Sequence, residues 1–261
     1  MKIAQISDLH ISAAGKTLGV APMAENLGRV VDHVNQLQPD LVLISGDIAN
    51  TARPDETRRA AQQLAKLDAP FYLTPGNHDA REVLWGVFGG GAIPAREASH
   101  LSYVVDTAAL RIIALDSTDP DLHNGLICPA RAAWLEEKLA EALKPTLLFM
   151  HHPPTKCGVA ETDDPPLQGA DELAAVVARH SHIERILCGH IHLSVQALWQ
   201  GRLVCTAPSI GMRLRLRRKP QEESQFFASP PAFLWHARNA DGTLITQEIM
   251  LDEPEGPFAF S

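Results

Sequence analysis

Five short apolar runs in this 261-residue chain each end in a turn that carries a carboxylate, an amide or an imidazole. Lys2–Ile6 leads into Asp8-Leu9-His10, Asp40–Ser45 into Gly46-Asp47, and Phe71–Thr74, through Pro75, into Gly76-Asn77-His78-Asp79. Thr146–Met150 leads into His151-His152-Pro153-Pro154, and Arg185–Cys188 into Gly189-His190-Ile191-His192. Runs this short are strand-sized, and unbroken apolar sequence marks a strand buried on both faces. In layered α/β folds the carboxyl ends of the strands line one crevice, where ligands bind. The recurrence therefore predicts that Asp8, His10, Asp47, Asn77, His78, His151, His190 and His192 converge.

Helical patterns separate these runs. Met23–Leu37 follows Pro22, and Pro54–Leu67 has proline at its first turn, acids early and lysine late. Asp79–Val87, Pro129–Leu143 and Ala170–Arg179 read as further helices, and Leu101–Asp106 with Leu110–Leu115 as an antiparallel pair. Later, Ser194–Gln200, Arg202–Thr206, Phe233–Arg238 and Thr243–Leu251 alternate as strands, with turns at Gln200-Gly201 and Asp241-Gly242. Such an order implies an α/β layered sandwich with mixed sheets. No linker divides residues 1–261, so one domain is expected. Phe88–Ser99, with three consecutive glycines, reads as loop, and His152–Gly169 and Pro208–Pro231 lack regular pattern. Stretches of that length are either functional or disordered.

Net charge is −8, which argues against a binder of nucleic-acid polymers or anionic membranes. No apolar run approaches the roughly 18 residues of a membrane span. The start is too short in apolar residues for a signal peptide, so a cytoplasmic protein is expected. Cys128, Cys157, Cys188 and Cys205 form no C-x-x-C and read as reduced thiols. The basic run Arg213–Lys219 reads first as a solvated edge strand and second as a lid or oligomer contact.

The chemistry follows from spacing. Residues i and i+2 of an extended chain point the same way, so D-x-H and H-x-H each present two donors together. Two carboxylates and several imidazoles packed together need cations to offset their desolvation. Nitrogen and oxygen donors without thiolate suit Zn, Mn, Fe or Co. So many donors exceed one tetrahedral site and suit two metals sharing a bridging carboxylate. Asp79 either orients His78 or caps a helix, and Asp116 either supports the cluster or belongs to a turn. His100 and His123 flank the cleft; His33, His180, His182 and His236 read as structural or surface residues.

In their order, D-x-H, G-D, G-N-H-D, H-H-P-P and G-H-x-H make the chain resemble the calcineurin-like metallophosphoesterases. Ser45–Pro54, Pro75–Asp79, Met150–Pro154 and Cys188–His190 look more narrowly like the bacterial class III cyclic-nucleotide and glycerophosphodiester phosphodiesterases. The resemblance implies a four-layer α/β/β/α sandwich with two mixed sheets. It implies one metal on Asp8, His10, Asp47 and His192. The second would sit on Asp47, Asn77, His151 and His190, with Asp47 bridging and His151 preferred over His152. Asn77, His78 and His192 would contact substrate, and His78 with Asp47 would be the catalytic pair. A homo-oligomer is implied too, with 208–231 as lid or oligomerisation segment.

Two divalent ions generate hydroxide from water near neutral pH and clamp an in-line displacement at phosphorus. His78 would stabilise phosphoryl oxygens or protonate the leaving alkoxide, roles an imidazole suits. Two such ions, two carboxylates and one hydroxide leave the centre near +1, which matches a diester monoanion better than a monoester dianion. Expected substrates are small phosphodiesters, either 3′,5′-cyclic nucleotides or glycerophosphodiesters. The competing readings are a nuclease or pyrophosphatase of the same superfamily, and a non-catalytic metal-binding scaffold.

Overall fold

A computed structural model describes residues 1–16, 21–217 and 222–252. The first half of the chain builds β1 (Lys2–Ile6), α1 (Met23–Leu37), β2 (Leu41–Ile44), α2 (Pro54–Leu64), β3 (Phe71–Leu73) and α3 (Arg81–Phe88). Next come β4 (Tyr103–Asp106), β5 (Arg111–Ala114), α4 (Pro129–Ala140), β6 (Thr146–Phe149), α5 (Ala160–Asp163), α6 (Ala170–Arg179) and β7 (Ile183–Cys188). The last part is all strand: β8 (Val195–Trp199), β9 (Arg202–Thr206), β10 (Met212–Leu214), β11 (Phe226–Ala228), β12 (Ala232–Arg238) and β13 (Leu244–Met250).

One sheet has the order β13-β12-β1-β2-β3, the other β4-β5-β6-β7-β9-β8. β1, β2 and β3 run parallel, as do β5, β6, β7 and β9. Hairpin partners run antiparallel at β12, β13, β4 and β8, so both sheets are mixed. The layering can be read from alternate residues. Leu147 and Phe149 of β6 enter the cluster that holds α1, α2 and the first sheet. Leu148, next to them, and Met150 enter a second cluster with Leu135 and Leu139 of α4 and Leu173 and Val177 of α6. A period of two thus places one sheet face toward its partner sheet and the other toward helices. The result is the expected α/β/β/α sandwich. Among the described residues no helix is long and apolar enough to cross a membrane.

Several expected boundaries move, for identifiable reasons. α2 stops at Leu64 because the chain tightens, with Lys66 N donating to Gln63 O and Leu67 N to Leu64 O. α4 stops at Ala140, and Leu143 beyond it stands 85% exposed with nothing to pack against. α3 starts at Arg81, since Asp79 N bonds Gly76 O in a turn. The start of the basic run Arg213–Lys219 forms an edge strand as expected, but in a separate two-stranded ribbon, where β10 pairs β11 antiparallel. Arg218 and Lys219 lie outside the described residues. The pairing joins segments twelve or more residues apart, which local periodicity does not register.

Candidate metal centre

The parallel strands β1, β2, β3, β6 and β7 end at one crevice. Beyond β1, β2 and β7 the backbone curls to turn its donors inward. It does so through left-handed conformations at Asp8 (φ 53°), His10 (φ 41°), Asp47 (φ 54°), His190 (φ 70°) and His192 (φ 56°). Each costs about 1–3 kcal/mol and persists only where neighbours enforce it. Here they do: Asp8 N donates to Gly46 O at 3.1 Å and His10 N to Asp47 O at 2.9 Å. Gly46 itself has φ +94°, and a Cβ there would run into the His151 ring. At Gly189 a Cβ would lie 2.6 Å from Ser45 O.

Asp8, His10, Asp47 and His192 present donor atoms that all lie within 4.8 Å of one another, and all four residues are buried. His10 Nε2 is 3.1 Å from His192 Nε2, and His192 Nε2 is 3.3 Å from Asp8 Oδ1. Asp47 Oδ2 lies 3.4 Å from His10 Nε2 and equally 3.4 Å from His151 Nε2. One carboxylate oxygen thus faces two groups of donors. On its far side, His151 Nε2 is 3.1 Å from Asn77 Oδ1. His190 joins His151 and His152 in a second buried group of donors within 4.8 Å.

Hydrogen bonds fix the tautomers. His151 Nδ1 donates to Ser45 O (2.7 Å), so Nε2 turns a lone pair toward Asp47 and Asn77. Three acceptors then converge with no donor hydrogen among them, an arrangement that only a cation or an added proton stabilises. His190 Nε2 donates to Asn124 Oδ1 (2.9 Å), which frees Nδ1. His152 has both nitrogens engaged, by Ser117 Oγ at 2.8 Å and His123 O at 3.0 Å. The Nδ1 atoms of His10 and His192 are buried without a hydrogen-bond partner. A divalent metal pair suits this donor set.

The electrostatics say the same. Burial pushes the Asp47 carboxyl upward, but His151, His10 and His78 outweigh it and hold it well below the usual carboxylate range. Burial disfavours charge on His151, yet Asp47 and Asp8 raise it to about 9. At His151 the carboxylates therefore favour positive charge, whereas burial keeps His10, at about 3, and His190 neutral.

His78 N donates to Asp47 Oδ1 (2.9 Å), and its Nδ1 donates to Asn50 O (2.7 Å). Its ring packs edge-on against His10 at 4.7 Å. Neither expectation for Asp79 holds. Its carboxylate accepts from the backbone N–H of Ile48, Ala49 and Gly76, tying together the two turns that carry Asp47 and Asn77. Burial, and then Asp47, raise Asp79 to about 7. Asp116 is fully buried and paired with Arg81 at 2.6 Å. His100 lies against Trp134, whereas His123 meets Asn77 Nδ2 at 3.1 Å. His236 is buried on β12 between Gln5 and Thr246; His180 pairs with Glu136. Sequence alone assigned no role to Asn124 or Asn50. Asn50 lies within the Ser45–Pro54 motif, whereas Asn124 stands beside no strand-end motif and only the H-N-G sequence at 123–125 hinted at a turn there.

A family model described as calcineurin-like phosphoesterase matches residues 1–194. The chain belongs to that family. Full-length relatives agree. It is 33% identical to a probable glycerophosphodiester phosphodiesterase, GpdQ, of Arcobacter nitrofigilis, over all of this chain and 97% of that one. It is 31% identical to the 3′,5′-cyclic adenosine monophosphate phosphodiesterase CpdA of Escherichia coli K12, over 95% of this chain and 88% of that one. Among solved structures, a dimetal phosphatase from Danio rerio superposes with a TM-score of 0.69 over 97% of both chains. At 15% identity that match speaks for the calcineurin-like fold.

Proposed function

We propose that this chain is a dinuclear metal-dependent phosphodiesterase acting on small diesters, either 3′,5′-cyclic nucleotides or glycerophosphodiesters. One observation carries the reading: Asp47 Oδ2 stands 3.4 Å from His10 Nε2 on one side and from His151 Nε2 on the other, within reach of both donor groups. One ion would be held by Asp8, His10, Asp47 and His192, the other by Asp47, Asn77, His151 and His190. His151 rather than His152 serves because His152 spends both nitrogens on Ser117 and His123. The names of the relatives point to the same substrate classes. Fe, Mn, Zn and Co all suit these donors.

When bound, the ions supply Lewis acidity for an in-line displacement at phosphorus. The chain's own groups do the rest. His78, its Nδ1–H committed to Asn50, offers Nε2 to a phosphoryl oxygen or to the leaving alkoxide. Asn77 and His192 line the same cavity of about 210 Å³ and contact substrate. No lysine or arginine is among the described residues lining it, which favours a diester monoanion over a monoester dianion. Four unpaired thiols fit a reducing, cytoplasmic setting. Phe226 (41% exposed) and Phe227 (48%) on the ribbon support a homo-oligomer.

The metal-loaded protein is expected to cleave bis(p-nitrophenyl) phosphate faster than p-nitrophenyl phosphate, and Asp47→Ala to lose both metal and at least about 10³-fold in kcat. A panel of cyclic AMP, cyclic GMP and glycerophosphodiesters names the substrate. Faster monoester cleavage, or a fully active Asp47→Ala, would rule the reading out.

A further inference from the structure

We propose that α5 and the β10–β11 ribbon form a clasp beside the metal centre, locked through Glu161, that admits only diesters with at least one small or tied-back substituent. The inference rests on the phosphodiesterase reading above. The cavity at the donors is bounded by His10, Asp47, Asn77 and His78 together with two segments remote from them in sequence. These are Glu161 and Thr162 of α5, and Met212 and Leu214 of β10.

Glu161 joins the two segments. Its Oε1 forms an ion pair with Arg217 Nε at 2.9 Å and accepts a hydrogen bond from Ser224 Oγ at 2.8 Å. Arg217 follows β10 and Ser224 precedes β11, so one carboxylate gathers both arms of the ribbon. The pair is largely shielded, with side chains 22% and 17% exposed, which places it above a fully solvated ion pair in strength. Both halves are also braced. Asp163 accepts from the backbone N–H of Cys157, Gly158 and Val159, holding the turn that leads into α5. Ser229 N donates to Gly211 O at the ribbon's base. Arg217 also sets the charge of this wall, since without it the Glu161 carboxylate would face an anionic substrate uncompensated.

The two sides of the centre differ in room. At about 210 Å³ the clasped cavity is smaller than the roughly 300–1,000 Å³ of pockets for drug-sized ligands. Beyond Asn77, away from the clasp, a groove of about 590 Å³ runs past Arg81, Glu97, His100 and Asp119. One ester substituent therefore has space, while the other meets the clasp. A cyclic nucleotide, whose two ester oxygens share one ribose, or a glycerol ester satisfies that asymmetry; a linear dinucleotide does not.

The test compares kcat/KM for the dinucleoside monophosphate ApA with that for cyclic AMP. It uses wild type, Glu161→Ala, Ser224→Ala, Arg217→Gln and the exchanged pair Glu161→Arg/Arg217→Glu, with metal content measured on each. The ApA-to-cyclic-AMP ratio is expected to rise about tenfold or more in Glu161→Ala, less in Ser224→Ala, and to return toward wild type in the exchanged pair. Arg217→Gln should raise the ratio and also raise KM for both substrates. Metal content should stay at the wild-type level throughout. An active wild type with ratios within about twofold in Glu161→Ala and Ser224→Ala overturns the clasp alone. A metal-loaded wild type that cleaves no diester overturns the functional reading, and the clasp with it.

Discussion

Asn124 is not among the residues lining the cavity, yet it decides which nitrogen His190 offers. By accepting the Nε2 hydrogen at 2.9 Å it leaves Nδ1 bare and holds the ring in place. Such outer partners of metal-ligating histidines are typically worth 10–100-fold in metal affinity. Asn124→Ala is therefore expected to weaken metal binding by about that factor with the far-ultraviolet spectrum unchanged, as calorimetric metal titration would show. A second residue-scale prediction concerns His236, which lies outside the crevice. Burial, reinforced by Arg185, depresses it to about 3. In the unfolded chain an imidazole titrates near 6.5. Between those values the unfolded state holds a proton that the folded state refuses, so stability falls as pH drops through about 6.5 toward 3. His236→Gln, which keeps a polar side chain facing Gln5 and Thr246, should remove a loss on the order of a few kcal/mol across that window. Urea midpoints at pH 7 and pH 4 for the two proteins check this; equal drops in both would contradict it.

At the scale of elements, legibility followed how local the cause was. β1, α1, α6 and β9 occupy the expected residues because an apolar period, an initiating proline or a turn residue marks each end within a few positions. The donor cluster was legible for the same reason: its residues sit directly after strands, and parallel topology does the rest. Asn124 and the contact of Glu161 with Ser224 were not. Their partners lie tens of residues away, as with Asn124 and His190, and no local pattern encodes such pairs. The left-handed turns were half visible, as the glycine at 46, while the same conformation at His10 and His192 is imposed by tertiary bonds. The helices allow a direct test of element energetics. Gly28 lies within α1, and a Cβ there would meet only Gln63 Oε1 at 3.8 Å. Gly28→Ala should therefore stabilise the fold by about 0.5–1 kcal/mol through helix propensity and a less flexible unfolded chain. For a chain of this size that is a rise of roughly 1–4 °C in Tm, readable by calorimetry, and a fall would show that α1 packs more tightly there than the structure implies.

For the molecule as a whole, the crevice is where the two sheets are joined. Gln5 of β1 donates to Cys188 O of β7 at 2.9 Å, His151 beyond β6 donates to Ser45 O beyond β2, and His190 N donates to Asp8 Oδ1 at 3.1 Å. Metals held by Asp8, Asp47, His151, His190 and His192 would draw on both sheets at once, so binding them also joins the layers. A ligand that binds only the folded state stabilises it by about 2.7 kcal/mol at a hundredfold excess over Kd. Stripping the metals adds a second loss, because two buried carboxylates then rely on imidazolium charge alone. Chelation is thus expected to lower Tm by roughly 5–10 °C, and returning Mn, Co or Zn should restore it. Asp47→Asn separates the two contributions. Lacking the carboxylate that faces both donor groups, it should show little metal-dependent shift, and its metal-free Tm should lie near that of metal-free wild type, since the desolvation cost of one buried carboxylate goes together with its pairing to imidazoles. A wild-type Tm indifferent to both chelator and metal would mean that the sheets are held by their hydrogen bonds alone and that the donors bind no ion tightly.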